Sequence, residues 1–287
     1  LNLDIALRGA KLVILAVPLA ALREVLQDVG RLLDPGTGVV VTSIAPLVAP
    51  AVDWAAEALP DGVHYVGGDP FLTPGAAGWE PLRGLVSATA DLFQEAVYAI
   101  APHAEVHPSA VRTVRNLALT LDATPLYMDP VEHDAVRATA TSLPALIATA
   151  LVRATVGMPG WLEVRRAAGR DFATATAAAS GDIGSRRMAT LLGRDILVQG
   201  LDEVLLQLEE LRTAVAEADA EALETVLAEA AGQRARWMLE AQARTWELGT
   251  QPLESGGLFD RTLQMLLGEG LAKSPDRGES PSRNTES

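Results

Sequence analysis

The stretch KLVILAVP, residues 11–18, is a short continuous apolar run stopped by Pro18. Such a run has no polar alternation, so it reads as a strand buried on both faces, as in a parallel sheet. The next segment, 19–33, places Leu19, Leu22, Val25, Leu26, Val29 and Leu33 on one side of a helix. DPGTG (34–38) is a turn signal, and Val39–Thr42 reads as a second buried strand. The pattern then repeats: a helix over 48–59, a PDG turn (60–62), a strand over Val63–Val66 and a fourth over Ala96–Ile100, closed by Pro102. Strand and helix alternate, which predicts a mainly parallel α/β sheet.

After a helix over Ser109–Leu121 and an extended run Thr124–Met128, the period changes. Asp129, Pro130 and Glu132 form the cap, first-turn proline and third-position acid of a helix start. Helices are expected over 130–156, 161–178, 186–217, 219–247 and 258–271. The expected organisation is an α/β domain over 1–129, a helical domain over 130–272 and a polar, disordered tail over 273–287. Leu201, Leu205, Leu208 and Leu211 form an apolar stripe on a long helix, more than a small sheet domain can cover. A homodimer through the C-terminal helices is therefore expected.

A formal charge of -14 and a pI near 4.7 repel phosphates and anionic lipid alike, so no nucleic-acid partner is expected. There are no cysteines, which excludes disulfides, thiolate metal sites and cysteine nucleophiles and suits a reducing cytoplasm. The four histidines, His64, His103, His107 and His133, lack metal-ligand spacing. His64 falls in a strand and His103 and His107 near a loop, none of them read as catalytic; His133 reads as a first-turn helix residue with a structural role. The apolar runs are too short to span a bilayer, the richest, Leu143–Met158, being interrupted by Arg153, so no membrane partner is expected. No signal peptide is read at the start, and the expected location is the cytoplasm.

Six segments stand in a telling order: KLVILAVPLAALREVL, LLDPGTGVVVTSIA, LPDGVHYVGGDP, LYMDPVEHD, LVRATVGMPGW and AAGRDF. Together they resemble the prephenate dehydrogenase family over about residues 10–245. The resemblance implies a Rossmann domain, here partial, followed by an all-α dimerisation domain. It also implies NAD or NADP as cofactor and the oxidative decarboxylation of prephenate, or of its amino relative arogenate, in tyrosine biosynthesis. By position, Val17, Pro18 and Ser43 would face the cofactor. The family's catalytic histidine falls at Asp69, within Gly67-Gly68-Asp69-Pro70-Phe71-Leu72-Thr73. Asp69 reads either as a turn residue before Pro70 or as a carboxylate replacing imidazole. A second family histidine falls at Ser142, a small helix residue before a proline that can still donate a hydrogen bond. The substrate-facing serine becomes Pro46, a lysine becomes Val48, and the carboxylate-pairing arginine becomes Ala177, with Thr73 a further substrate-side match.

The GxGxxG loop that cradles the cofactor's phosphates lies two strands before KLVILAVP in the family and is not found here. The chain starts at Leu1, and the expectation is an N-terminally incomplete, catalytically impaired or inactive homologue. Two other readings stand beside it: an active prephenate or arogenate dehydrogenase seen as a truncation, and a non-catalytic homologue that binds a small molecule or regulates a partner.

Overall fold

The computed structural model of the chain describes residues 2–72 and 88–243. After a short helix α1 (Leu3–Leu7), strands and helices alternate as β1 (Leu12–Leu15), α2 (Leu19–Leu32), β2 (Val40–Ser43), α3 (Ala49–Ala58) and β3 (His64–Phe71). β4 (Val97–Ala101), α4 (Pro108–Thr120) and β5 (Thr124–Tyr127) complete a five-stranded sheet in the order β1-β2-β3-β4-β5. β1, β2 and β3 are parallel, β4 runs antiparallel to β3, and β5 is parallel to β4. The mainly parallel α/β reading holds.

The apolar spacing of α2 does what it predicts. Leu19, Leu22, Leu26 and Val29 are almost wholly buried, in one core cluster with Leu15, Val41 and Ala55. Each such side chain contributes about 1.5–3 kcal/mol. Gly30 lets α2 lie against the end of α3, because a Cβ there would collide with the Ala58 carbonyl. α4 supplies a second cluster, in which Ala110, Val114 and Ala118 pack with Val66, Tyr98 and Ile100.

Two strand expectations are corrected. β1 is not buried on both faces: it pairs with β2 alone among the described residues, and Ile14 is 46% exposed. β3 runs on past Val66 to Phe71, because β4 pairs with its second half in the register Gly67↔Ala101, Asp69↔Ala99 and Phe71↔Val97. The Gly-Gly-Asp-Pro segment is therefore strand, not turn. Local turn preference gives way to a neighbouring strand that takes up the backbone bonds.

From Pro130 every described element is helical: α5 (Pro130–Arg137), a π turn (Ala138–Ser142), α6 (Leu143–Val156), α7 (Trp161–Ala167), α8 (Arg170–Thr176), α9 (Ile183–Leu192), α10 (Arg194–Ala216) and α11 (Ala220–Ala243). The capping box at Asp129 and Glu132 is present. The span expected as one helix over 161–178 is broken around Gly169, and the next begins earlier than expected and is divided at Gly193. α5, the π turn and α6 run on as one helix, Pro130–Val156, long and apolar enough by length and composition to cross a membrane. This corrects the expectation that no run reaches that length. The first turns of this helix carry His133 and Arg137, which are bonded to β3, and Asp134, which is bonded to the start of α3. Thr73, the expected helix over 258–271 and the tail lie outside the described residues.

Candidate functional site

Asp69 sits in the second half of β3 with only 2% of its surface exposed. A carboxylate so deep needs charged partners, and α5 provides them. His133 Nε2 lies 3.1 Å from Asp69 Oδ2, and Arg137 Nη2 donates to Asp69 Oδ1 at 3.2 Å. Arg137 Nε is 2.6 Å from Asp69 Oδ2, but its N–H is misdirected, so that contact is an ion pair rather than a hydrogen bond. The Arg137 guanidinium lies over the Phe71 ring at 5.2 Å, and the same ring stacks on His133.

His133 is completely buried, and its other nitrogen, Nδ1, is 2.9 Å from Asp134 Oδ1. Ionised carboxylates only accept, so facing one at each ring nitrogen favours the imidazolium, the form that can donate from both. Burial alone would lower its pKa, but the bonds and charges of Asp134 and Asp69 together outweigh burial and raise it. With the ring protonated, two acids and two cations balance within the cluster. Around it, Tyr65 donates to or accepts from Ser43 Oγ at 2.6 Å. Burial pushes the Tyr98 phenol up to about 12, with the Asp69 charge adding to it, and burial raises Tyr65 further still.

The other positions expected from the sequence are dispersed around this cluster. Val17 is half-buried and Pro18 exposed, just past the carboxyl end of β1. Ser43 is wholly buried and its hydroxyl is taken up by Tyr65. Pro46 is half-buried, while Val48 is buried with its N–H on Asp134 Oδ1 at 2.6 Å. Ser142 closes the π turn half-buried; its neighbour Thr141 accepts from Arg137 Nη1 at 3.3 Å. Ala177 is half-buried in a 3-10 turn that packs on α6.

Arg137 and Asp134 were missed by the sequence reading. Their signal was the spacing of His133 and Arg137, four apart and hence on one face of a helix whose start was already recognised. Asp69 and His133 also change meaning: the first is a buried ion-pair partner rather than a turn residue, and the second is more than a first-turn helix residue. The remaining histidines gather elsewhere. His64 at the start of β3 stacks on His107, the N-cap of α4, at 5.8 Å. His64 and His103 line a cleft of about 330 Å³ with Asp61 and Glu105. Among the described residues no group of three or more histidine or acidic side chains could hold a metal ion.

A dinucleotide needs backbone left open for its pyrophosphate. Gly67 and Gly68 do not offer it: a Cβ on Gly67 would strike Val48, and one on Gly68 would strike the Tyr98 and Thr42 hydroxyls. These glycines admit neighbouring protein. At the amino end of α2, the Ala20 N–H donates to Ser185 Oγ at 3.3 Å. Neither of these two places offers open backbone to a pyrophosphate.

A family model described as prephenate dehydrogenase, nucleotide-binding domain, matches residues 3–126. The match spans the α/β part of the chain, which is thereby similar to the nucleotide-binding domain of that family. The chain is 27% identical over 221 residues to the prephenate dehydrogenase of Bacillus subtilis (strain 168), an overlap of 75% of this chain and 57% of the relative. The chain thus spans less than two thirds of that relative's length. Among solved structures it resembles prephenate dehydrogenase from Aquifex aeolicus in complex with hydroxyphenyl propionate and NAD+ (TM-score 0.67, 20% identity, covering 79% of this chain and 76% of that one). It also resembles Synechocystis arogenate dehydrogenase (TM-score 0.64, 21% identity, 82% of each chain). These likenesses establish a shared fold: a Rossmann-like, mostly parallel sheet followed by a helical region.

Proposed function

We propose that this chain is a member of the prephenate dehydrogenase family that is impaired in, or has lost, the NAD(P)-dependent oxidation of prephenate. One observation carries the reading: the charge balance around Asp69 is closed. A general base needs a lone pair within reach of the substrate hydroxyl. Asp69 is buried with both oxygens committed to His133 and Arg137, and both nitrogens of His133 face carboxylates. Arg137, the one cation of the cluster with surface exposed (25%), is already paired, so the two carboxylates of prephenate would compete with Asp69 for it. Val48 and Ala177 add no charge.

The cofactor this reading implies is NAD or NADP, with Val17 and Pro18 beside the nicotinamide and weak binding expected. The test is reduction of NAD+ or NADP+ by the purified chain in the presence of prephenate or arogenate. Absorbance should not rise above that of a heat-killed control. Turnover within about tenfold of the Bacillus subtilis relative, a barrier difference of about 1.4 kcal/mol, would overturn the proposal and place the base outside the Asp69 cluster.

The assembly proposed with it is a homodimer through the C-terminal helices. Its support is apolar surface: Leu191, Val198, Leu205, Leu206, Leu208 and Leu239 are all exposed along α9, α10 and α11.

A further inference from the structure

Asp134 stands next to His133 on α5 but serves a different element. Its Oδ1 accepts the Val48 N–H at 2.6 Å and its Oδ2 the Ala49 N–H at 3.0 Å. Those amides open α3, whose N-cap, Val48, has no capping bond from its own side chain. A carboxylate at a helix start is well placed, because the amides there lack intrahelical partners and the dipole favours negative charge. The loop 44–47 is thereby held at both ends, at β2 by the Ser43–Tyr65 bond and at α3 by Asp134. Asp69 of β3, His133, Asp134 and the first amides of α3 form one unbroken line of hydrogen bonds.

We propose that this line is a charge-operated latch, in which the His133 imidazolium holds Asp134, Asp134 holds the amino end of α3 and the 44–47 loop, and loss of the ring proton frees that end. A neutral imidazole has one N–H and one lone pair, so it cannot bond both carboxylates. The N–H stays with Asp69, which is 2% exposed and shielded from solvent; the Asp134 side chain is 15% exposed and can turn to solvent. The charged or titratable groups around the ring are Asp69 from β3, Asp134 and Arg137 from α5, and the phenols of Tyr65 and Tyr98 near the two acids. Burial keeps both phenols neutral while the histidine titrates. The inference does not depend on whether the chain oxidises prephenate.

The test follows the His133 ring nitrogens and the exchange of the Val48 and Ala49 amides by NMR on the whole chain, from about pH 6 to about pH 10, bracketing a raised imidazole value. Protection at both amides, corrected for intrinsic exchange, should fall about tenfold as the ring deprotonates, the equivalent of one charge-assisted hydrogen bond. His133→Gln should make their protection independent of pH, and Asp134→Asn should lower it at every pH. Two results would overturn the latch: flat protection at Val48 and Ala49 while the ring titrates, or a ring that stays charged until the fold melts. The wild-type titration alone decides the matter if either variant fails to fold.

Discussion

Asp69 shows how much a single position can hide. Its carboxylate is tolerable at 2% exposure only because His133 and Arg137 touch it, and removing one partner of such a buried set strands the others. Asp69→Ala should cost about 3–5 kcal/mol, read from the urea midpoint at constant slope. A loss under about 1 kcal/mol would mean the set is hydrated and contributes little. The pH dependence has a definite sign. His133 gains partners on folding, so its folded pKa lies above its unfolded one. Its contribution to stability is full below the unfolded value and lost as pH rises through the raised folded value. The urea midpoint should therefore decline on the alkaline side of the ordinary imidazole range in the wild type, and this step should be absent in His133→Gln.

The elements were legible in proportion to how local their causes are. α2 followed from leucine spacing alone, and the start of α5 from Asp129, Pro130 and Glu132, because a cap is satisfied within its own turn. The second half of β3 was not legible: Gly67-Gly68-Asp69-Pro70 carries turn residues, and only pairing with β4, about thirty positions on, makes it strand. The exposure of Ile14 was equally hidden, since an apolar run looks the same at the middle and the edge of a sheet. Gly30 belongs to this scale. Gly30→Ala would force α2 off the end of α3 at the Ala58 carbonyl, and should cost about 1–3 kcal/mol by thermal or urea unfolding. An unchanged midpoint would show that the two helices separate easily.

For the whole molecule, the stripe expected on α10 is divided: Leu205 and Leu208 are more than half exposed, as is Leu206 beside them, while Leu201 and Leu211 are half-buried. Light scattering at micromolar concentration should return the mass of a dimer, and Leu205→Glu should shift it towards the monomer by placing charge in a desolvated face. A wild-type monomer would refute the proposed assembly. The sequence by itself determined the mainly parallel sheet, the helical region after residue 129 and the family resemblance, because periodicity, caps and motif order are properties of neighbouring residues. Tertiary structure alone decided what the Asp69 position is: an acid 64 residues before His133 and 68 before Arg137 is joined to them only when α5 docks against β3. That joining raises the pKa of His133 and links it, through Asp134, to the start of α3. Charge balance in a buried site depends on distances in space, and these are set by packing between elements far apart in the chain.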